Sequence, residues 1–367
     1  VSPGEAGLGT PGPDVPAAWE ALGDPRRIVG SVELSPHVST NRVERLRLDD
    51  GSEVVAKTSS YGSYFLFRED HDRLHRLQGL LAGTRYRHLL AHTITKDGRP
   101  FTWYDGRHWI VFYDVIELRE RLPRTITGDQ VTNLGEEMAL FHRQCADVAP
   151  LIPRTSTSIR SDAVNLLSLL TEGDRGASTL HLGAAQTDVV ARHAHRFLER
   201  LDELGYDDMP RIPVLIDWNL GNFSVETDAG GRFRLFSRWD YDWFRIEPRV
   251  LDLYFLSRVA SSTGDRTQFT YGAHTLLEDR FLALLAAYHR IFPLTAEEIL
   301  LIAEGYRFFL LHYVIREAEA FFTPSYASVL RREAIDIHLP TFERLDLSPL
   351  LRVLGDEGGA VLPRVRT

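Results

Sequence analysis

The stretch Leu215-Ile216-Asp217-Trp218-Asn219-Leu220-Gly221-Asn222 constrains this chain more than any other. Apolar residues lead into an aspartate, and an asparagine follows five positions later. A strand-like run, Asn222–Glu226, leaves at once. A second run, Arg232–Ser237, returns after a Gly230-Gly231 turn and delivers Arg238-Trp239-Asp240-Tyr241-Asp242. Strands joined by a tight turn lie side by side, so Asn222 and the acidic pair at the end of the return strand are predicted to face each other.

Those residue types suit one chemistry. Phosphoryl transfer needs a carboxylate to orient a hydroxyl and accept its proton, and an amide oxygen close by to hold Mg²⁺. Asp217 and Asn222 supply that pair on one loop. Asp240 is the favoured second metal ligand and Asp242 the alternative, because Mg²⁺ takes oxygen donors with one or two carboxylates. Taken alone, the spacing also suits a polar turn closed by Asn and Gly. A second clue is Val55-Ala56-Lys57 at the end of a predicted strand. The chain has two lysines, Lys57 and Lys96, against forty arginines. A lysine kept in such a background marks a place where a compact charge matters. Glu69 lies twelve residues on, in the first half of the next predicted helix, where it would align Lys57. Small polar residues, Gly30-Ser31 and Ser39-Thr40-Asn41, flank the turn between the first two strands, where backbone N–H groups can cradle phosphates.

The rest of the pattern predicts an α+β chain in two lobes. Residues 1–16 are rich in Gly and Pro and read as a flexible leader, with a short helix at Ala17–Leu22. Strands are predicted at Arg27–Glu33, Arg42–Leu48, Glu53–Thr58, Leu89–Thr95 and His108–Val115, with a helix over Phe65–Leu81. Helices dominate afterwards: Asp129–Ala146, Ser161–Leu170, Thr187–Leu204, Leu251–Ala260, Thr275–Phe292, Thr295–Phe322 and Ser325–Leu339. The expected units are residues 1–25, a lobe over 26–116, a helical lobe over 117–340 and a tail over 341–367. A cleft at the junction is where a ligand belongs.

Composition narrows the class. The formal charge is −9 over 367 residues, which argues against a nucleic-acid partner. The single cysteine, Cys145, excludes an internal disulfide and a multi-cysteine zinc site. Apolar runs fall short of a membrane span, so a cytoplasmic protein with no membrane partner is expected, as a monomer or homodimer. His142 sits among Met138, Phe141 and Cys145 and reads as a packed structural histidine.

With these residues in view, the chain resembles the aminoglycoside phosphotransferase and choline kinase-like family over about residues 28–335. The resemblance rests on Ser39-Thr40-Asn41-Arg42-Val43, Val55-Ala56-Lys57, Arg68-Glu69, the helix Leu134–His142, Asp217 with Asn222, Asp240, and Asp252-Leu253 twelve residues later. It implies a protein-kinase-like fold, with a small antiparallel N-terminal sheet and a large helical C-terminal lobe. It implies ATP and Mg²⁺ as cofactors and a small hydroxyl-bearing acceptor: an aminoglycoside, a sugar or an amino alcohol. Asp217 would be the catalytic base, and Asn222 and Asp240 the metal ligands. Lys57, Glu69, Ser39, Asn41, Tyr113, Asp114 and Val115 would bind the nucleotide. The late helices would wall the acceptor pocket, making Asp242, Arg307, His312 and Arg316 candidate substrate contacts. Two positions depart from the family pattern. Leu215-Ile216 replaces His-Gly before the catalytic aspartate, and Arg238-Trp239 precedes Asp240 where an isoleucine is usual. They leave a second expectation open, a relative that binds nucleotide or ligand without turnover.

Overall fold

The computed structural model describes residues 12–35, 41–171, 180–263 and 272–355. The N-terminal lobe is built on an antiparallel sheet. Its strands are β1 (Ile28–Glu33), β2 (Asn41–Leu48), β3 (Glu53–Ser59), β6 (Thr102–Tyr104) and β7 (Trp109–Asp114), in the order β1-β2-β3-β7-β6. A two-residue hairpin, β4 (Thr95–Lys96) with β5 (Arg99–Pro100), sits apart from it. Side chains alternate along β3, as the pleat requires. Val54 and Ala56 face one side and join Leu46, Ile110 and Phe112 in an apolar cluster. Val55 and Lys57 face the other side and line the cleft.

Helix α1 (Val15–Leu22) covers the first face. Val15, Ala18, Trp19 and Leu22 are buried against the sheet, with Trp19 edge-on to Phe112 at 5.1 Å. The indole N–H also donates to the Arg26 carbonyl at 2.7 Å. This helix is therefore part of the lobe's core. The flexible leader predicted before it falls mostly outside the described residues.

Helix α2 (Tyr64–Leu81) buries His71, Leu74, Leu77 and Leu81 at helical spacing. The segment predicted as a strand at Leu89–Thr95 is not one, except for Thr95, which opens β4. It makes single bridges, Leu90 to Arg238 and Thr93 to Tyr113, as it crosses between the lobes.

The C-terminal lobe is mainly helical. Helix α3 (Gly128–Val148) begins with a Thr127/Gln130 capping box. It crosses α7 (Asp279–Ile291) at Gly135, where a Cβ would run into the Leu284 carbonyl, so only glycine fits. Helices α4 (Ile159–Thr171) and α5 (Ala184–Glu203) pack together on one flank. Helix α6 (Val250–Ala260) is buried all round. Helix α8 (Ala296–Phe309) starts at a Thr295/Glu298 capping box and runs into a π-helical stretch over Leu310–Arg316. The helix predicted over Thr275–Phe292 is broken at Glu278, with a 3₁₀ turn before α7. Between these helices lie β8 (Ile212–Val214) paired with β11 (Arg245–Glu247), and the hairpin of β9 (Phe223–Thr227) with β10 (Phe233–Arg238). Leu350, in the region expected to be a tail, is fully buried in this lobe.

Candidate active site

Three segments meet at the lobe junction: the end of β3, the loop after β8 and the loop after β10. Lys57 stands opposite Val43 and Val111 in the sheet. Its ammonium lies 2.5 Å from an Asp242 carboxylate oxygen and 3.4 Å from one of Asp240. Burial opposes the lysine's charge, but the two carboxylates outweigh it and hold the pKa above its ordinary value. Asn41, at the start of β2, donates to Asp242 from the other side.

The loop after β8 is held from behind. Asp252, fully buried on α6, accepts the N–H groups of Leu215 at 3.0 Å and Ile216 at 2.6 Å. Its other oxygen is 2.9 Å from His142, whose second ring nitrogen is 2.8 Å from the Tyr288 hydroxyl. His142 is thus the packed residue that the sequence suggested, and it braces the carboxylate that braces the loop. Ile216 takes φ = 60° and Asp240 takes φ = 70°. A positive φ is uncommon for any non-glycine residue and a true outlier for a β-branched one. Strain of this kind, of order 1–3 kcal/mol each, persists where surrounding structure over-determines it, often at working sites.

The two loops are joined by their main chains. The Trp239 N–H donates to the Asn222 carbonyl at 2.9 Å, and the Asn222 side-chain amide donates to the Asp217 carbonyl at 3.4 Å. That leaves the Asn222 carboxamide oxygen as an acceptor. Asp217 accepts from the Asn219 backbone at 3.3 Å and from its side chain at 2.6 Å. Desolvation and then the neighbouring Asp240 push the Asp217 carboxyl up to about 7, against the pull of Arg238 and Arg258. A carboxylate with a pKa near 7 is matched to proton transfer at neutral pH.

A cavity of about 350 Å³ opens onto this constellation. Asn41, Lys57, the junction Tyr113-Asp114-Val115, Asn222 and Asp240 all line it. Trp239, which flanks the Asp240 loop, lines it too, as do Arg45 and Arg121, which sequence reasoning missed as site residues. The Arg121 guanidinium sits 5.3 Å over the Trp239 ring. Asn222 and Asp240 offer hard oxygen donors at one cavity wall, the set that Mg²⁺ takes, so the residues present fit that ion.

A second cavity, about 420 Å³, lies on the far side of Asp242, between α2, the start of α4 and the π-helical stretch. Asp242, His312 and Arg316, the candidate substrate contacts, are among the residues that line it. Trp243 stacks on Tyr313 at 3.9 Å along its wall. Asp162 pairs there with Arg245 at 2.6 Å. Burial drives His312 down to about 3, so it is neutral. Asp70, another lining residue, is pushed up to about 7 by burial.

Two expected residues are elsewhere. Glu69 does not reach Lys57. It turns outward, accepting from Arg73 at 3.2 Å and from the Ser156 hydroxyl. Its neighbour His71 takes the inward face of α2 and meets the Tyr113 hydroxyl at 2.5 Å. Arg307 lines neither cavity. It is buried beside Glu304 at 2.9 Å and stacks 4.6 Å over Phe342, a packing role. Ser39 lies outside the described residues.

No protein-family model matches the chain, and no curated protein sequence does. Solved structures do. The architecture is the two-lobed protein-kinase-like fold, which solved structures of several small-molecule phosphotransferases share with this chain. A microcompartment-associated aminopropanol kinase superposes with a TM-score of 0.59, 16% identity, and coverage of 93% of this chain and 100% of that one. An amicoumacin kinase in complex with AMP-PNP and Ca²⁺ gives 0.55, 14% identity, and 92% and 94% coverage. A macrolide 2'-phosphotransferase type I gives 0.51, 14% identity, and 88% and 95% coverage. Among the described residues, no helix is long and apolar enough to cross a membrane.

Proposed function

We propose that this chain is a small-molecule kinase that moves the γ-phosphoryl group of ATP to a hydroxyl of an aminoglycoside, sugar or amino alcohol. The observation that carries the reading is the meeting of Lys57, Asn222 and Asp240 in one cavity, beside a carboxylate, Asp217, whose pKa is raised to about 7. The fold shared with small-molecule kinases supports it.

In this reading the adenine lies against Tyr113-Asp114-Val115. Lys57 leaves Asp242 to contact the phosphates, and Asn41 caps them from β2. Asn222 and Asp240 would hold Mg²⁺, which when bound neutralises charge on the phosphate oxygens. Asp217 orients the acceptor hydroxyl and takes its proton as the new O–P bond forms. The bond from the γ-phosphorus to the bridging oxygen breaks, and ADP leaves. Positioning and charge stabilisation then carry most of the rate. The second cavity, next to Asp242, is the proposed acceptor pocket, with Trp243, His312 and Arg316 in its wall.

The test is a panel of hydroxyl-bearing acceptors assayed for ATP-dependent phosphorylation with wild type and Asp217→Ala. Turnover that depends on Asp217 supports the proposal. Full activity in Asp217→Ala contradicts the assignment of the base.

A further inference from the structure

Arg238 ends β10, and its guanidinium hydrogen-bonds main-chain atoms, not the side chains given a chemical role above. Its side chain is fully buried. Its guanidinium reaches three main-chain carbonyls: one terminal nitrogen donates to Asp240 at 2.6 Å, and the other donates to Leu215 at 3.0 Å and Asp217 at 2.8 Å. Trp218 and Tyr241 present their rings to it at 5.1 and 5.7 Å. Among the described residues it forms no ion pair with a carboxylate. A cation removed from water without a paired anion is a costly thing for a fold to keep.

The three carbonyls suggest why it is kept. Leu215 and Asp217 bracket Ile216, one of the two residues at positive φ near the cleft. The third carbonyl belongs to Asp240, the other one. One rigid fork of donors therefore spans both strained loops at their strained points. The fork is itself fixed. The Arg238 N–H donates to Leu89 at 2.8 Å, and its carbonyl accepts from the Tyr241 hydroxyl, which in turn accepts the Ala91 N–H at 2.8 Å.

We infer that Arg238 is a positioning residue, whose guanidinium locks the Asp217 loop to the Asp240 loop and sets the spacing between the base and the metal-binding carboxylate. Its kinetic consequence rests on the function proposed above, but the lock itself does not. A lysine keeps the charge without the planar fork, so Arg238→Lys and Arg238→Met separate charge from geometry.

The experiment compares wild type and both variants by amide hydrogen exchange of the free protein, by thermal unfolding and by steady-state phosphotransfer. Exchange over residues 213–223 and 238–245 should accelerate ~10-fold or more in both variants, with the N-terminal sheet unchanged. The kcat should fall ~100-fold in Arg238→Met and less in Arg238→Lys, while KM for ATP stays within about threefold. If Arg238→Met does not fold, Arg238→Lys carries the test. Faster loop exchange with no turnover by wild type on any acceptor upholds the lock and removes the kinase reading. Wild-type exchange in both loops overturns the inference, as does a kcat loss no larger than the loss of folded protein.

Discussion

Replacing Asp217 with asparagine should make the protein more stable and inactive at once. The carboxyl has an ordinary pKa of 3.8 and is raised to about 7 in the fold, chiefly by desolvation. A raised acid pKa means that the folded state holds the proton more tightly than the unfolded chain. Between pH 4 and 7 the folded protein therefore binds about one more proton at this group, and stability falls as pH rises through that window. Three units at about 1.36 kcal/mol each amount to roughly 4 kcal/mol above pH 7. The Asp217→Asn variant lacks this penalty and keeps an oxygen for the two Asn219 donors. With an unfolding entropy near 2.1 cal/mol/K per residue, 4 kcal/mol in a chain of this size raises Tm by about 5 °C. The assay is thermal unfolding of both proteins with EDTA from pH 4 to 8. The difference in Tm should be near zero at pH 4 and grow to a plateau above pH 7. A flat difference, or a variant less stable than wild type at pH 8, would refute the reasoning. Asp240, Arg238 and Arg258 are the charged groups that act on this carboxyl, so the same scan on Asp240→Asn should move the wild-type transition to lower pH.

Other consequences can be checked in parallel. Lys57→Met removes the cation beside Asp242, which is only 16% exposed, and should cost about 3 kcal/mol in urea unfolding. The Asp240 contact adds little, because that carboxylate is 42% exposed. Nucleotide binding should be lost in the same variant. Glu69→Ala should leave KM for ATP within about twofold of wild type, since its carboxylate serves Arg73 and Ser156 and not Lys57; a tenfold rise in KM would restore it to the nucleotide site. Asp252→Ala leaves the Leu215 and Ile216 N–H groups and His142 without their acceptor, at ~1–3 kcal/mol for each buried group, so a urea midpoint equal to wild type would contradict its bracing role. Cys145 is buried on α3 with its thiol pKa pushed well up by desolvation. It should resist a thiol reagent in the native state and react only on unfolding.

Much of the candidate site was legible because local chain geometry fixes it. An aspartate after an apolar strand, an asparagine five residues on and a tight hairpin must bring Asp217, Asn222 and Asp240 near one another, whatever the rest of the chain does. Lys57 was legible from alternation in β3 and from its rarity. The partners of Lys57 were not, because choosing Asp242 over Glu69 depends on how α2 is rotated. Residues two apart on a helix point roughly 200° from each other. Once His71 is buried, Glu69 faces out. Arg307 misled for a related reason: α8 is buried on all sides, so its polar residues pair inside the lobe. Helix α1 was read as separate because its only sequence mark is an apolar stripe of four residues, and the sheet face that receives it is assembled from three distant strands. Arg238 was noticed as an oddity beside Asp240, but its three carbonyl partners lie on two loops that only the folded chain brings together. The same holds for Ile216, whose positive φ no sequence pattern announces at a β-branched residue.

The most direct test of the central claim is calorimetric titration of ATP into wild type and Asp240→Ala, with and without Mg²⁺. The account predicts metal-dependent binding by wild type that is lost in the folded variant. No binding by folded wild type, or equal binding by both proteins with and without Mg²⁺, would contradict it.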